Sequence, residues 1–344
     1  MAQDPKVRYS RQMLFTPIGP EGQAKLLASR AVVVGAGALG SVLANHLVRG
    51  GVGYVRIIDR DFVEESNLQR QMLYDEDDAK RHMPKAEAAA EKLRKINSAV
   101  TVEPVVDDVH PGNAEALLTG VDIILDGTDN FQIRYLINDV ALKHRIPWVY
   151  GGAVSSRGMF AAVRPHETPC FRCLFPHPPE GRGDTCDTVG VIGPIVHVVA
   201  SYQAAEAFKI LVGARDRFNP HLEQFEMWTN MHMQMNIAGG RQPNCPACGQ
   251  GLYEFLDGSE DEDVFTVMCG RDSVQFTPRT PRTVDFDKEE QVLRNVGVVE
   301  RNPFLLRASI DERTLVLFRD GRVMIQGTQD IVEAKSLYAK YIGS

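Results

Sequence analysis

The chain has 344 residues, 44% apolar and 24% charged, with a net charge of −7; it is long enough for one large or two moderate globular domains, and its composition is neither disordered nor fibrous. The mildly acidic balance and the lack of a long Lys/Arg cluster argue against a nucleic-acid or anionic-membrane partner. No apolar signal region is visible and the longest apolar run, near Val191 to Ala200, is broken by Gly, Pro and His, so no membrane span and a cytoplasmic location are expected, where six cysteines point to metal ligation or thiol chemistry.

Residues 5–29 read as a leading helical arm carrying Arg8 and Arg11. Four apolar residues, Ala31 to Val34, then run into Gly35, Gly37 and Gly40 and a helical pattern at Leu39, Leu43 and Leu47. This predicts a buried parallel strand, a tight turn and a helix whose N-terminus suits a phosphate. A second strand, Tyr54 to Ile58, ends in Asp59, whose carboxylate can accept hydrogen bonds from ribose hydroxyls, with Asp61 close behind. Alone, these features indicate a dinucleotide or ATP, and NAD would be the usual first guess.

The next stretch, Ser66-Asn-Leu-Gln-Arg-Gln71, carries an arginine and three amides. A triphosphate asks for such donors and NAD does not. Pro84-Lys85 opens a helix, and a lysine there is disfavoured by the helix dipole unless an anion lies near. Strands at Val100 to Val105 and Val121 to Leu125 continue the strand–helix alternation, predicting a doubly wound, mostly parallel α/β sheet. The second ends in Asp126-Gly-Thr-Asp-Asn130. Asp129 is placed to hold Mg²⁺ through oxygen, while Asp129 or Asn130 can equally cap the helix from Phe131 to His144.

After strands at Pro147 to Tyr150 and Gly158 to Val163, Cys170-Phe-Arg-Cys173 is answered by Cys245-Pro-Ala-Cys248. Two CxxC pairs supply four thiolates, a closed tetrahedral set for structural Zn²⁺ that ties distant loops and leaves no open position for catalysis. Cys186 stands alone in a polar, glycine-containing loop, where an inert thiol is the ordinary reading. A long apolar helix is expected from Ile192 to Val212. Phe225 to Ile237 alternates at period two with Met227, Met231, Met233 and Met235 on one face, as in a half-buried strand pair. The domain reading is a nucleotide-binding unit over 1–256, an acidic linker over 257–263 and a small α+β unit over 264–344. In the last unit strands are expected at Val264 to Cys269 (reaching towards Phe276), Phe304 to Ile310, Leu315 to Phe318 and Arg322 to Gln326, with helices at Asp287 to Asn295 and Asp330 to Ile342. Cys269 reads as core.

The GAGALG turn, Asp59, SNLQRQ, Pro84-Lys85, GTDN and both CxxC pairs, in that order over residues 5 to 253, resemble the ThiF/MoeB family, bacterial relatives of ubiquitin-activating enzymes. The resemblance implies a Rossmann-like fold and adenylation, with Mg-ATP, of the C-terminal glycine carboxylate of a small β-grasp sulfur-carrier protein, ThiS-like or MoaD-like, in thiamin or molybdopterin biosynthesis. It implies that Gly35, Gly37 and Gly40 seat the nucleotide and Asp59, with Asp61, holds the ribose end. Asn67, Arg70 and Lys85 would contact phosphates and Asp129 carry Mg²⁺. Arg11 would reach the ATP of a second subunit in a homodimer, and Cys186 would enter sulfur or thioester chemistry. The final unit departs from the rhodanese domain of some relatives, being too short. Two other readings are an NAD-dependent oxidoreductase, which leaves Arg70 and Asp129 without a role, and a non-catalytic binding module, against which the full phosphate set argues.

Overall fold

The structure, a computed structural model, describes residues 5–178, 186–258, 264–268, 272–278 and 283–343, with the backbone alone for 5, 6, 186, 187, 264 and 266–268. The chain divides into two compact units, the second comprising 259–344 with the short 185–188 segment. The expected linker lies largely, and Cys269 wholly, outside the described residues.

In the first unit eight strands form one sheet: β1 (Arg30–Val34), β2 (Tyr54–Ile58), β3 (Thr101–Val105), β4 (Ile123–Asp126), β5 (Trp148–Val154), β6 (Arg157–Val163), β7 (His221–Glu226) and β8 (Met231–Asn236). Their order is β3-β2-β1-β4-β5-β6-β7-β8. The five on the β3 side are parallel and β6 to β8 are added antiparallel. The sheet is thus the expected α/β one, with the order reversing between β1 and β4. At that switch point the registers Val34↔Ile58, Val34↔Asp126 and Ile58↔Val105 bring four strand ends level, which places the loops after them in one crevice. Strands buried on both faces need apolar side chains throughout: Ala31 to Val34 and Ile123 to Leu125 are all within 2% of full burial.

The expected long apolar helix forms over Gly193–Val212, and it has the length and composition of a membrane span. Its polar residues make it a core helix instead. Buried Gln203 donates through Nε2 to the carbonyls of Asp126 at 2.8 Å and Val149 at 3.1 Å, and Glu206 is also buried.

The expected half-buried strand pair is corrected. β7 and β8 form, but every residue of β8 is exposed and Met227 lies in the turn beyond β7. β8 is the sheet edge, and Met231, Met233 and Met235 on it are exposed among the described residues. Period two specifies a strand without specifying a cover.

The second unit is a six-stranded antiparallel sheet in the order β11-β12-β13-β14-β10-β9: β9 (Val264–Met268), β10 (Ser273–Thr277), β11 (Val298–Arg301), β12 (Leu305–Ile310), β13 (Arg313–Phe318) and β14 (Val323–Gln326). Helices Phe286–Leu293 and Ile331–Tyr341 join it, and Leu306, Leu315, Val323, Phe276, Phe286 and Ala334 share one core. β9 and β10 are separate strands rather than one long one. β11 escaped the sequence reading because its residues, Val-Val-Glu-Arg, are too few to show a period.

Candidate active site

The glycine turn sits at the end of β1, where each glycine has a distinct cause. Gly35 has φ +85°, and a Cβ there would lie 2.8 Å from the Gly127 carbonyl oxygen; one on Gly40 would lie 1.8 Å from the Gly35 oxygen. Those two let the turn, helix Ala38–Gly50 and the Gly127 backbone touch. Gly37 differs: its nearest protein neighbour would be Gln71 Nε2 at 4.0 Å. Among the described residues nothing lies closer to that position, which suits a ligand's approach.

Asp59 follows β2 and accepts from two backbone N–H groups, Ala36 at 2.6 Å through Oδ2 and Asp61 at 2.7 Å through Oδ1. Burial pushes its carboxyl above the ordinary value and Asp61 adds to this, while the Lys85 ammonium pulls it down. Lys85, buried at the first position of helix Lys85–Ile96, places Nζ 3.2 Å from Asp61 Oδ2, and its own N–H donates to the Asp61 carbonyl at 2.8 Å. A buried lysine at a helix start is stabilised only by such an acid or by a bound anion.

The SNLQRQ segment is less open than a loop of donors. Asn67 is buried, its Oδ1 accepting from the Glu64 N–H at 3.2 Å in a capping box around the short turn Glu65–Asn67. Arg70 is half-buried; Nη1 donates to the Ser66 carbonyl at 2.9 Å, and it has no carboxylate partner among the described residues. Gln71 is buried beside Gly37, with Oε1 lacking a hydrogen-bond partner.

Across the crevice, Asn130 caps its helix, accepting from the Gln132 N–H at 2.8 Å. That leaves Asp129 exposed and without a hydrogen bond among the described residues. Arg60 is held above its ordinary value although burial opposes its charge, because Asp108, Asp61 and Asp129 favour it. Asp129 therefore shares an electrostatic neighbourhood with the Asp59–Asp61 rim. The sequence reading missed what shapes this loop: Arg134, buried one helical turn after Asn130, bonds Asp126 Oδ2 at 2.9 Å and the carbonyls of Thr128 at 2.6 Å and Gly151 at 3.1 Å. Its spacing from GTDN was the only signal.

The four paired cysteines meet in the core. Their sulfurs lie within 4.8 Å of one another, with separations of 3.8 Å for Cys170–Cys173, 3.7 Å for Cys170–Cys245 and 3.4 Å for Cys173–Cys248. A Zn–S bond of about 2.3 Å gives tetrahedral edges of about 3.8 Å, so the donor set fits zinc. Hydrogen bonding from Cys170 holds the Cys173 thiol down, while that same bond and burial push Cys170 up and burial pushes Cys248 up; the four would become thiolates together only around a cation. Arg11 lies apart from these groups, exposed on helix Ser10–Met13. Cys186 starts the short helix Cys186–Val189, and its side chain lies outside the described residues.

The profile of the ThiF family matches residues 9–247. The chain is 47% identical over 337 residues, 98% of its length and 99% of the relative's, to the sulfur carrier protein ThiS adenylyltransferase of Bacillus subtilis. It is 41% identical over 252 residues, 73% of its length and 91% of the relative's, to the SAMP-activating enzyme E1 of Haloferax volcanii. The crystal structure of E. coli MccB with MccA-N7isoASN superposes with a TM-score of 0.62 at 23% identity, covering 72% of this chain and 75% of that one, a likeness of fold.

Proposed function

This chain belongs to the ThiF family, and from that premise we propose that it adenylates the C-terminal carboxylate of a small β-grasp sulfur-carrier protein, forming an acyl-adenylate and pyrophosphate for sulfur transfer in thiamin or molybdopterin biosynthesis. One observation carries this: the glycine turn, the Asp59 carboxylate, the Asp61–Lys85 pair and a free Asp129 converge on the sheet's switch point. The Bacillus relative, matched over nearly its whole length, makes a ThiS-like carrier the first to test.

The carrier carboxylate is ionised near neutral pH and needs no general base. Its oxygen attacks the α-phosphorus, the bond to the bridging oxygen of the β-phosphate breaks, and pyrophosphate leaves with the electron pair. The protein's task is alignment and charge neutralisation. In this reading the turn backbone cradles phosphate, Asp59 and Asp61 hold the ribose end, and Lys85 moves from Asp61 onto phosphate oxygen. Arg70 and Asn67 donate beside it. Asp129 would hold Mg²⁺, which when bound neutralises charge on the triphosphate. Cys170, Cys173, Cys245 and Cys248 would hold one structural Zn²⁺, with no step of the reaction on it.

The same reading makes a cytoplasmic homodimer, with Arg11 completing the neighbour's site. Its support is the exposed apolar surface beside Arg11, where Leu14 and Phe15 are 70% and 60% exposed. Cys186 is assigned to the later sulfur or thioester step, so Cys186→Ala should keep adenylation. The test is carrier-dependent ATP/pyrophosphate exchange with ThiS-like and MoaD-like proteins of the same source. Exchange with either supports the reading; exchange with neither overturns it, and tight NADH binding without ATP binding would favour an oxidoreductase.

A further inference from the structure

Tyr74 follows SNLQRQ and is buried, with its hydroxyl between two backbone carbonyls: Ala36 O at 2.7 Å in the glycine turn and Lys85 O at 3.1 Å at the start of the lysine's helix. A phenol has one proton to donate. It is thus shared between the two halves of the phosphate site. From this geometry we propose that Tyr74 is a positioning residue for adenylation, fixing the glycine turn and Lys85 at the separation that a triphosphate requires. The proposal rests on the adenylation reading above.

Ala36 is gripped at both of its backbone groups, its N–H by Asp59 Oδ2 at 2.6 Å and its C=O by the Tyr74 hydroxyl. Together these fix the peptide planes on either side of Ala36, and so the direction of the N–H groups of Gly37 and the helix start that follow. Lys85 is gripped likewise, its N–H by the Asp61 carbonyl and its C=O by Tyr74. Burial, followed by the nearby Asp59, Asp78 and Asp61, keeps the phenol far above its ordinary value, so it stays a neutral donor across the working pH range. Tyr74 touches no reacting atom; it acts through the turn and the lysine.

Tyr74→Phe removes only the hydroxyl, and Tyr135→Phe is the matched control. Tyr135 is a buried tyrosine whose hydroxyl donates to the Phe175 carbonyl at 2.9 Å, on the cysteine-cluster side of the sheet. Tyr74→Phe loses one hydroxyl proton shared between two carbonyls and Tyr135→Phe one given to a single carbonyl, so each should lose a few degrees of melting temperature. In carrier-dependent ATP/pyrophosphate exchange, Tyr74→Phe should raise the KM for ATP on the order of tenfold, the effect of losing one buried hydrogen bond, with the KM for carrier unchanged. Tyr135→Phe should leave both constants at wild-type values. An unchanged KM for ATP in Tyr74→Phe, or equal shifts in the two variants, would overturn the proposal. Wild-type protein inactive with every carrier would instead remove the adenylation reading, and the ATP affinity of the two variants, measured by calorimetry, would still decide whether Tyr74 sets the site.

Discussion

Asp61 holds Lys85 at both ends: the Asp61 backbone carbonyl accepts the lysine's amide N–H at 2.8 Å, and Asp61 Oδ2 lies 3.2 Å from Lys85 Nζ. One residue thereby sets where the helix begins and where its first charge points. The ammonium is kept buried at a dipole end that disfavours it, ready to exchange a carboxylate for phosphate oxygen.

Lys85→Met should therefore lower carrier-dependent exchange by roughly 10²–10³-fold, since it removes a charge aimed at the triphosphate. Asp61→Ala should act on the fold as well. It strands the buried ammonium and should lower stability by roughly 3 kcal/mol, which urea unfolding would measure.

Gly40 and Gly37 should separate in their effects. Gly40→Ala puts a methyl 1.8 Å from the Gly35 carbonyl oxygen, so a loss of at least roughly 3 kcal/mol or failure to fold is expected. Gly37→Ala meets nothing closer than 4.0 Å. It should fold to within roughly 1 kcal/mol of wild type and yet raise the KM for ATP, because its methyl occupies ligand space.

The cysteine cluster should carry close to one zinc per chain by elemental analysis, lost in Cys245→Ala. Chelation should lower the melting temperature sharply, since metal binding here is folding energy. A folded, fully active protein that contains no metal would contradict the assignment.

Asp139 supplies a pH signature. Burial raises its carboxyl from 3.8 to about 6 despite a hydrogen bond from the Phe255 N–H at 2.9 Å. The folded state thus binds a proton that the unfolded state releases near 3.8, so this residue favours folding at low pH. That contribution declines as pH rises from about 4 and is gone above about 6, a span of up to about 3 kcal/mol. Asp139→Asn keeps the acceptor for Phe255 and removes the titration, so the wild-type-minus-variant stability difference should fall as pH rises across that window, measured by chemical denaturation at pH 4, 5, 6 and 7; a difference that stays constant would contradict the assignment.

The motif residues were legible because each is specified locally. Gly35 and Gly40 are read from a turn that only glycine can make, Pro84-Lys85 from a helix start, and the paired cysteines from their chemistry. Tyr74, Arg134 and Gln203 were not, since each looks like an ordinary core or helix residue until the sheet brings Ala36, Thr128, Gly151 and Val149 within reach. The exposed methionines of β8 and the short β11 have the same explanation: what covers a strand, or completes an edge, is decided by partners far away in sequence. The sequence by itself determined the parallel sheet, the glycine turn, the acids at the strand ends and the four thiols, because spacing and residue type control backbone conformation and ligand chemistry over a few residues. Only the tertiary structure decided that Asp61 clasps Lys85, that Tyr74 joins the turn to the lysine and that Arg134 shapes the loop of Asp129, because those contacts exist only once strand order has set the rims of the crevice side by side.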